Sequence, residues 1–192
     1  AFLMFVAMAT GSPGGATTLA TASGMHFGVR RSLPYIAGIA VGLSSMAVAS
    51  ALGLAALLMA MPALELSVRA AGTVYLLYLA WRVASGGSPS RSAHAARPIS
   101  FLGAAALTWY NPKAWAVTMG ASSSFAHLST EMTGQVALMG GTFLLFAAAS
   151  MTLWCMMGQA LGRLLKTERQ WRAINITMGS LLTVSIIPMW LE

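Results

Sequence analysis

Apolar runs long enough to cross a bilayer recur along this chain, and almost every charge falls in the gaps between them. A helical span needs about 20 mostly apolar residues. Six such runs are read, at 2–22, 34–59, 68–83, 99–125, 134–161 and 173–191. Charged residues make up 8% of the 192 and aspartate is absent. Soluble domains carry about 25% charged residues, so most of this surface is expected to face lipid. The chain is too short to add a soluble domain to six spans. The fold expected is therefore all-α and integral to a membrane, with the lipid bilayer as its main partner.

The net charge of +7 would favour nucleic acid in a soluble protein. Here the basic residues sit in short gaps, and no nucleic-acid partner is expected. Arg30 and Arg31 fall in the first gap, Arg82, Arg91 and Arg97 in the third, and Arg163, Lys166, Arg169 and Arg172 in the fifth. The second gap has only Arg69, opposed by Glu65, and the fourth has none. Nine against one is a strong positive-inside bias. It puts the odd gaps in the cytoplasm and both termini outside. The first run lacks the basic segment of a signal peptide and reads as a span. The chain opens on Ala1 rather than a methionine, so first residues are expected to be missing.

Two of the runs are interrupted near their middle. One reads Gly11-Ser12-Pro13-Gly14-Gly15 and the other Trp109-Tyr110-Asn111-Pro112-Lys113. Hydrocarbon offers no water to freed backbone groups, so unwound backbone there must be buried in protein or line a wet cavity. One break in each half is the best sequence pointer to a transporter's binding site. Three spans per half imply two three-helix repeats of inverted topology, 1–84 and 99–192, joined by a Gly/Ser-rich cytoplasmic linker at 85–98. A helix restarting at Gly14 and Gly15 presents free N–H groups and a positive dipole end, which suits a carboxylate.

Lys113 is the one formal charge well inside a run. A lysine at mid-helix costs about 2.5–3.5 kcal/mol on insertion scales, which makes it a functional hypothesis by default. The bland alternative is that its ammonium caps carbonyls freed by Pro112. Asn111 offers both a donor and an acceptor, for the ammonium or the carboxylate of an amino acid. Tyr110 and Trp115 read as packing or interfacial residues. The substrate-binding set expected is Ser12, Pro13, Gly14, Gly15, Asn111, Pro112 and Lys113. With no carboxylate in the spans, the substrate expected is a neutral or anionic amino-acid-like molecule.

Four Gly-x-x-x-Gly pairs, Gly11/Gly15, Gly24/Gly28, Gly38/Gly42 and Gly158/Gly162, read as close helix packing, within the bundle or between protomers of a homo-oligomer. The 14 methionines are dispersed and read as packing, and Cys155 lies alone in an apolar run. His26, His94 and His127 fall in gaps far apart. No metal site, cofactor or catalytic cluster is expected, and an enzyme is disfavoured.

The chain resembles the lysine exporter (LysE-type, RhtB-related) translocators. The likeness rests on Ser12-Pro13-Gly14-Gly15, Ser23-Gly24 through Gly28-Val29-Arg30-Arg31, and Gly38-Ile39-Ala40-Val41-Gly42. It continues through the stretch 70–82, Ala-Ala-Gly-Thr-Val-Tyr-Leu-Leu-Tyr-Leu-Ala-Trp-Arg, and Asn111-Pro112-Lys113-Ala114-Trp115. The resemblance implies a six-span exporter of amino acids or similar metabolites in a bacterial inner membrane, driven by the proton gradient. The family usually reads Pro-Gly-Pro then Asp or Asn where this chain has Pro13-Gly14-Gly15-Ala16. A passive channel or a non-transporting partner subunit are the alternatives.

Overall fold

The computed structural model describes residues 1–53, 62–86, 97–187 and 190. Among the described residues there are seven α-helices and no strand: α1 Phe2–Gly11, α2 Gly15–Ala51, α3 Pro62–Ala84, α4 Phe101–Trp109, α5 Pro112–Ser124, α6 Met132–Leu164 and α7 Glu168–Val184. Of these, α2 and α6 are each long and apolar enough to cross a membrane.

A straight helix of 37 residues would run about 55 Å at 1.5 Å per residue, well beyond a hydrocarbon core of about 30 Å. Instead α2 turns sharply at Gly28, where φ is 74° and ψ 167°. This left-handed backbone favours glycine, and it divides α2 into limbs 15–27 and 29–51. Groups freed at the bend find side-chain partners. Gln159 Oε1 accepts from the Val29 N–H at 2.9 Å, and Ser32 Oγ donates to the Gly28 carbonyl at 2.8 Å. The polar turn expected ahead of a span starting at Pro34 is therefore absent. The chain reverses within one residue and Pro34 lies inside the second limb.

Other boundaries also shift for local reasons. Pro62 opens α3 instead of marking a gap with Glu65; proline's missing N–H costs nothing at a helix start. Similarly, α7 starts at Glu168 rather than Ala173, because Thr167 and Gln170 form a capping box. Its side-chain and backbone bonds satisfy both helix-start donors. The linker expected at 85–98 and the end of the run at 34–59 fall largely outside the described residues.

Helix packing is set by glycine. The first limb of α2 lies against α6, with Gly24 facing the Cys155 backbone and Gly158 facing that of Thr21. A Cβ at either position would overlap main-chain atoms. Gly38 and Gly42 bring the second limb onto α4, and Gly179 brings α7 onto Ala80 and Ala84 of α3. Two of the eight paired glycines do something else, since Gly28 is the bend and Gly11 has no neighbour within 4 Å. The larger buried cluster joins Leu19, Tyr35, Ile39, Leu76, Leu107 and Met151 with their neighbours. A smaller one gathers Phe2, Val6, Met139 and Phe143 beneath Phe125.

Candidate functional site

Helix ends fall beside Pro13 and Pro112. One break separates α1 from α2 at residues 12–14, and a second separates α4 from α5 at residues 110 and 111. They meet. Lys113 Nζ, at the start of α5, donates to Ser12 Oγ at 2.8 Å and to the Pro13 carbonyl at 3.2 Å. Its side chain crosses to the other half of the chain instead of capping carbonyls freed by Pro112. A charged donor in a hydrogen bond contributes about 1.5–3 kcal/mol, so two such bonds offset much of the lysine's insertion cost. Both partners are neutral, and among the described residues no carboxylate stands beside this ammonium.

The first break is held by neighbouring helices. Ser150 Oγ of α6 donates to the Thr10 carbonyl at 2.8 Å, and Trp154 Nε1 donates to the Gly11 carbonyl at 3.2 Å. The Gly14 N–H is also taken, by Thr17 Oγ1 at 2.8 Å, so this amide is engaged rather than free as expected. The N–H groups that follow, from Gly15 to Thr17, form the open first turn that every helix presents. Gly15 is tightly enclosed, since a Cβ there would lie 3.3 Å from both Leu76 Cδ2 and Ser185 Oγ. Backbone conformation does not demand glycine at Gly14, whose φ of 175° is extended.

The second break caps itself. Asn111 is the N-cap of α5, its Oδ1 accepting from the Lys113 N–H at 3.0 Å, and Pro112 takes the first helical position. One lone pair of Oδ1 is thus engaged by the cap, and both amide N–H donors remain for a ligand. Trp115 Nε1 donates back to the Trp109 carbonyl at 2.9 Å, and the two indoles meet edge to face with centroids 5.2 Å apart. That agrees with the packing role expected of Trp115. Close approach by Gly72 of α3 seats the Tyr110 carbonyl.

Between the breaks lies a cavity of about 70 Å³. Ser12, Gly14, Gly15, Asn111 and Lys113 line it on the polar side, with Ile39, Leu107 and Met151 opposite. A water needs about 10–15 Å³ by this measure, so the space holds several waters or a small polar group. Of the expected residues, five reach this cavity, while Pro13 and Pro112 shape the breaks.

Three threonines join these residues: Thr10 and Thr17, which flank the first break in the sequence, and Thr108, which escaped the sequence reading. All three are buried. Thr108 sits within one helical turn of the second break, which was the available signal. Farther away, Asn175 is fully buried in α7. Its Oδ1 accepts from His26 Nε2 at 2.8 Å and its Nδ2 donates to the Gly86 carbonyl at 2.8 Å. An amide between Ile174 and Ile176 was the clue there.

The LysE type translocator family model matches residues 5–185. The chain belongs to this family. It is a translocator rather than an enzyme, and its apolar helices are those of a membrane protein. Among curated proteins it is similar to the cysteine/O-acetylserine efflux protein of Escherichia coli strain K12, 27% identical over 183 residues, covering 95% of this chain and 92% of that one. The same figures hold for the cysteine/O-acetylserine efflux protein of Shigella sonnei strain Ss046. No solved structure matches.

Proposed function

We propose that this protein is a secondary active exporter, coupled to protons, whose substrates are small amino acids and their derivatives carrying one free carboxylate. The observation that carries this reading is the Lys113 ammonium held across both helix breaks by neutral partners, at the edge of the cavity between them. A substrate carboxylate displaces Ser12 and Pro13 from Lys113, accepts from the Asn111 amide, and faces the open first turn of α2. Charge-assisted bonds of this kind are the stronger class. Cysteine and O-acetylserine, named for the relatives, have this chemistry and no net charge. A dicationic substrate would set a second cation against Lys113 with no acid to offset it.

The same reading takes α1 with the first limb of α2 as one broken span, α4 with α5 as its inverted counterpart, and the whole as six spans. Contact of the second limb of α2 with α6, where Ser44 Oγ donates to the Gly140 carbonyl, and pairing of α3 with α7 support it, since a pseudo-two-fold axis relates such partners. The charge bias supports a topology with both termini in the periplasm. Alternating access then consists of one repeat rocking about the meeting point of the breaks.

Proteoliposomes with an imposed pH gradient test this. Wild-type protein is expected to accumulate O-acetylserine against its gradient, and Lys113→Met to lose that accumulation. Equilibration without accumulation would indicate a passive channel. No flux above protein-free vesicles would leave only the partner-subunit reading.

A further inference from the structure

A second cavity, of about 100 Å³, opens at the other end of the bundle. Its wall includes Arg82, Arg97, His26, Ser23 and Gly86. Among the described residues neither guanidinium meets a carboxylate, and Arg82 Cζ stands 5.8 Å from the Tyr78 ring. The undescribed stretch 87–96 between them contains no acidic residue either. Two exposed arginines thus face one hollow with no carboxylate beside them among the described residues. His26, bonded through Nε2 to Asn175 Oδ1, is an imidazole and brings no negative charge to the hollow.

The two cavities share no lining residue. Between them stands the buried apolar layer of Tyr35, Ile36, Leu76 and Ala104. Tyr35 is fully buried and its hydroxyl donates to the Ala16 carbonyl at 2.7 Å, so the layer is closed in this conformation. The arginine-lined hollow is therefore a separate chamber on the basic side of the molecule, ahead of the junction of the breaks.

We infer that this chamber is a recruitment site for carboxylate-bearing solutes, where Arg82 and Arg97 hold the substrate's carboxylate before the Tyr35 layer opens toward Lys113. The inference rests on the exporter reading and extends it to the cytoplasmic face. A net-neutral zwitterion gains here by turning its carboxylate to the guanidiniums and its ammonium away, making charge-assisted bonds that salt weakens. Planar guanidinium groups suit carboxylate by two parallel N–H···O bonds. A lipid phosphate offers similar chemistry to an arginine at a span end, so the test must separate the two.

The protein, reconstituted with its arginine-rich face outward, is assayed for O-acetylserine uptake in phosphatidylcholine vesicles with and without phosphatidylglycerol. The double variant Arg82→Gln/Arg97→Gln is expected to raise apparent KM about tenfold with little change in Vmax, the loss of a charge-assisted hydrogen bond, in both lipids. Raised salt should increase the wild-type KM and leave that of the double variant unmoved, and Arg82→Lys/Arg97→Lys should recover most of the loss. An unchanged KM in the double variant, beside normal wild-type uptake, overturns the recruitment site and leaves the exporter standing. An effect confined to phosphatidylglycerol vesicles also overturns it, assigning the arginines to lipid. Absence of wild-type uptake overturns the exporter reading itself. The wild-type salt arm needs no variant, so a misfolded double variant does not spare the proposal.

Discussion

The two helix breaks solve one physical problem in opposite ways. At the first, carbonyls freed at Thr10, Gly11 and Pro13 accept from Ser150, Trp154 and Lys113, all from distant segments. At the second, Asn111 and Trp115 satisfy the backbone from within the same few residues. A self-capped break keeps its shape when its surroundings move. One capped by other helices changes shape with them. The contrast assigns the second break to presenting Lys113 on a fixed platform, and the first to responding when α6 or α5 shifts.

The largest effect that would break this comparison is at the residue joining the two. Lys113→Met should lower transport about a hundredfold, because a hydrogen bond to a charged group contributes about 1.5–3 kcal/mol; initial rates in proteoliposomes check it. Next comes the tertiary capping of the first break. Ser150→Ala with Trp154→Phe removes two donors and should destabilise the protein by about 1–3 kcal/mol, read as a lower melting temperature in detergent. An unchanged melting temperature would deny that α6 holds this break.

Asn111 separates capping from binding at the second break. Asn111→Ala should cost about 1 kcal/mol through the lost N-cap. Asn111→Asp keeps the acceptor for the Lys113 N–H, and so keeps stability, yet sets a negative charge beside the substrate carboxylate. Its KM should rise about tenfold, like charges being costly at close quarters. The smallest change is expected at Gly14→Ala. Its backbone is extended and the nearest atom to a new Cβ is the mobile end of Lys113, 3.3 Å away. Stability should shift by roughly 0.5 kcal/mol at most.

Proline placement made both breaks legible before any coordinates, and the depth of Lys113 marked it as the residue to explain. What the sequence withheld was direction. Lys113 lies next to Pro112 in the chain, and only the fold turns it a hundred residues back to Ser12 and Pro13. Asn111 looked equally ready to donate or accept, until its cap bond to the Lys113 N–H engaged one lone pair of Oδ1. The Gly14 amide looked free because nothing local announces that Thr17 bends its hydroxyl back to it.

The bend at Gly28 was missed for a related reason. A glycine beside Arg30 and Arg31 reads as part of a polar turn, whereas Gln159 and Ser32, one of them 130 residues away, supply the bonds that let a single residue reverse the chain. Gly24 and Gly158 were correctly taken as packing glycines, because close backbone contact leaves a spacing in the sequence. Tertiary hydrogen bonds leave none.

The central claim is that the junction of the breaks holds a carboxylate through Lys113. Equilibrium binding of O-acetylserine and of its methyl ester to the purified protein in detergent tests it most directly, with Lys113→Met beside the wild type. The account predicts that wild type prefers the acid over the ester by at least about tenfold, and that the variant loses this preference. Equal affinity for acid and ester, or a preference that survives in Lys113→Met, would contradict it.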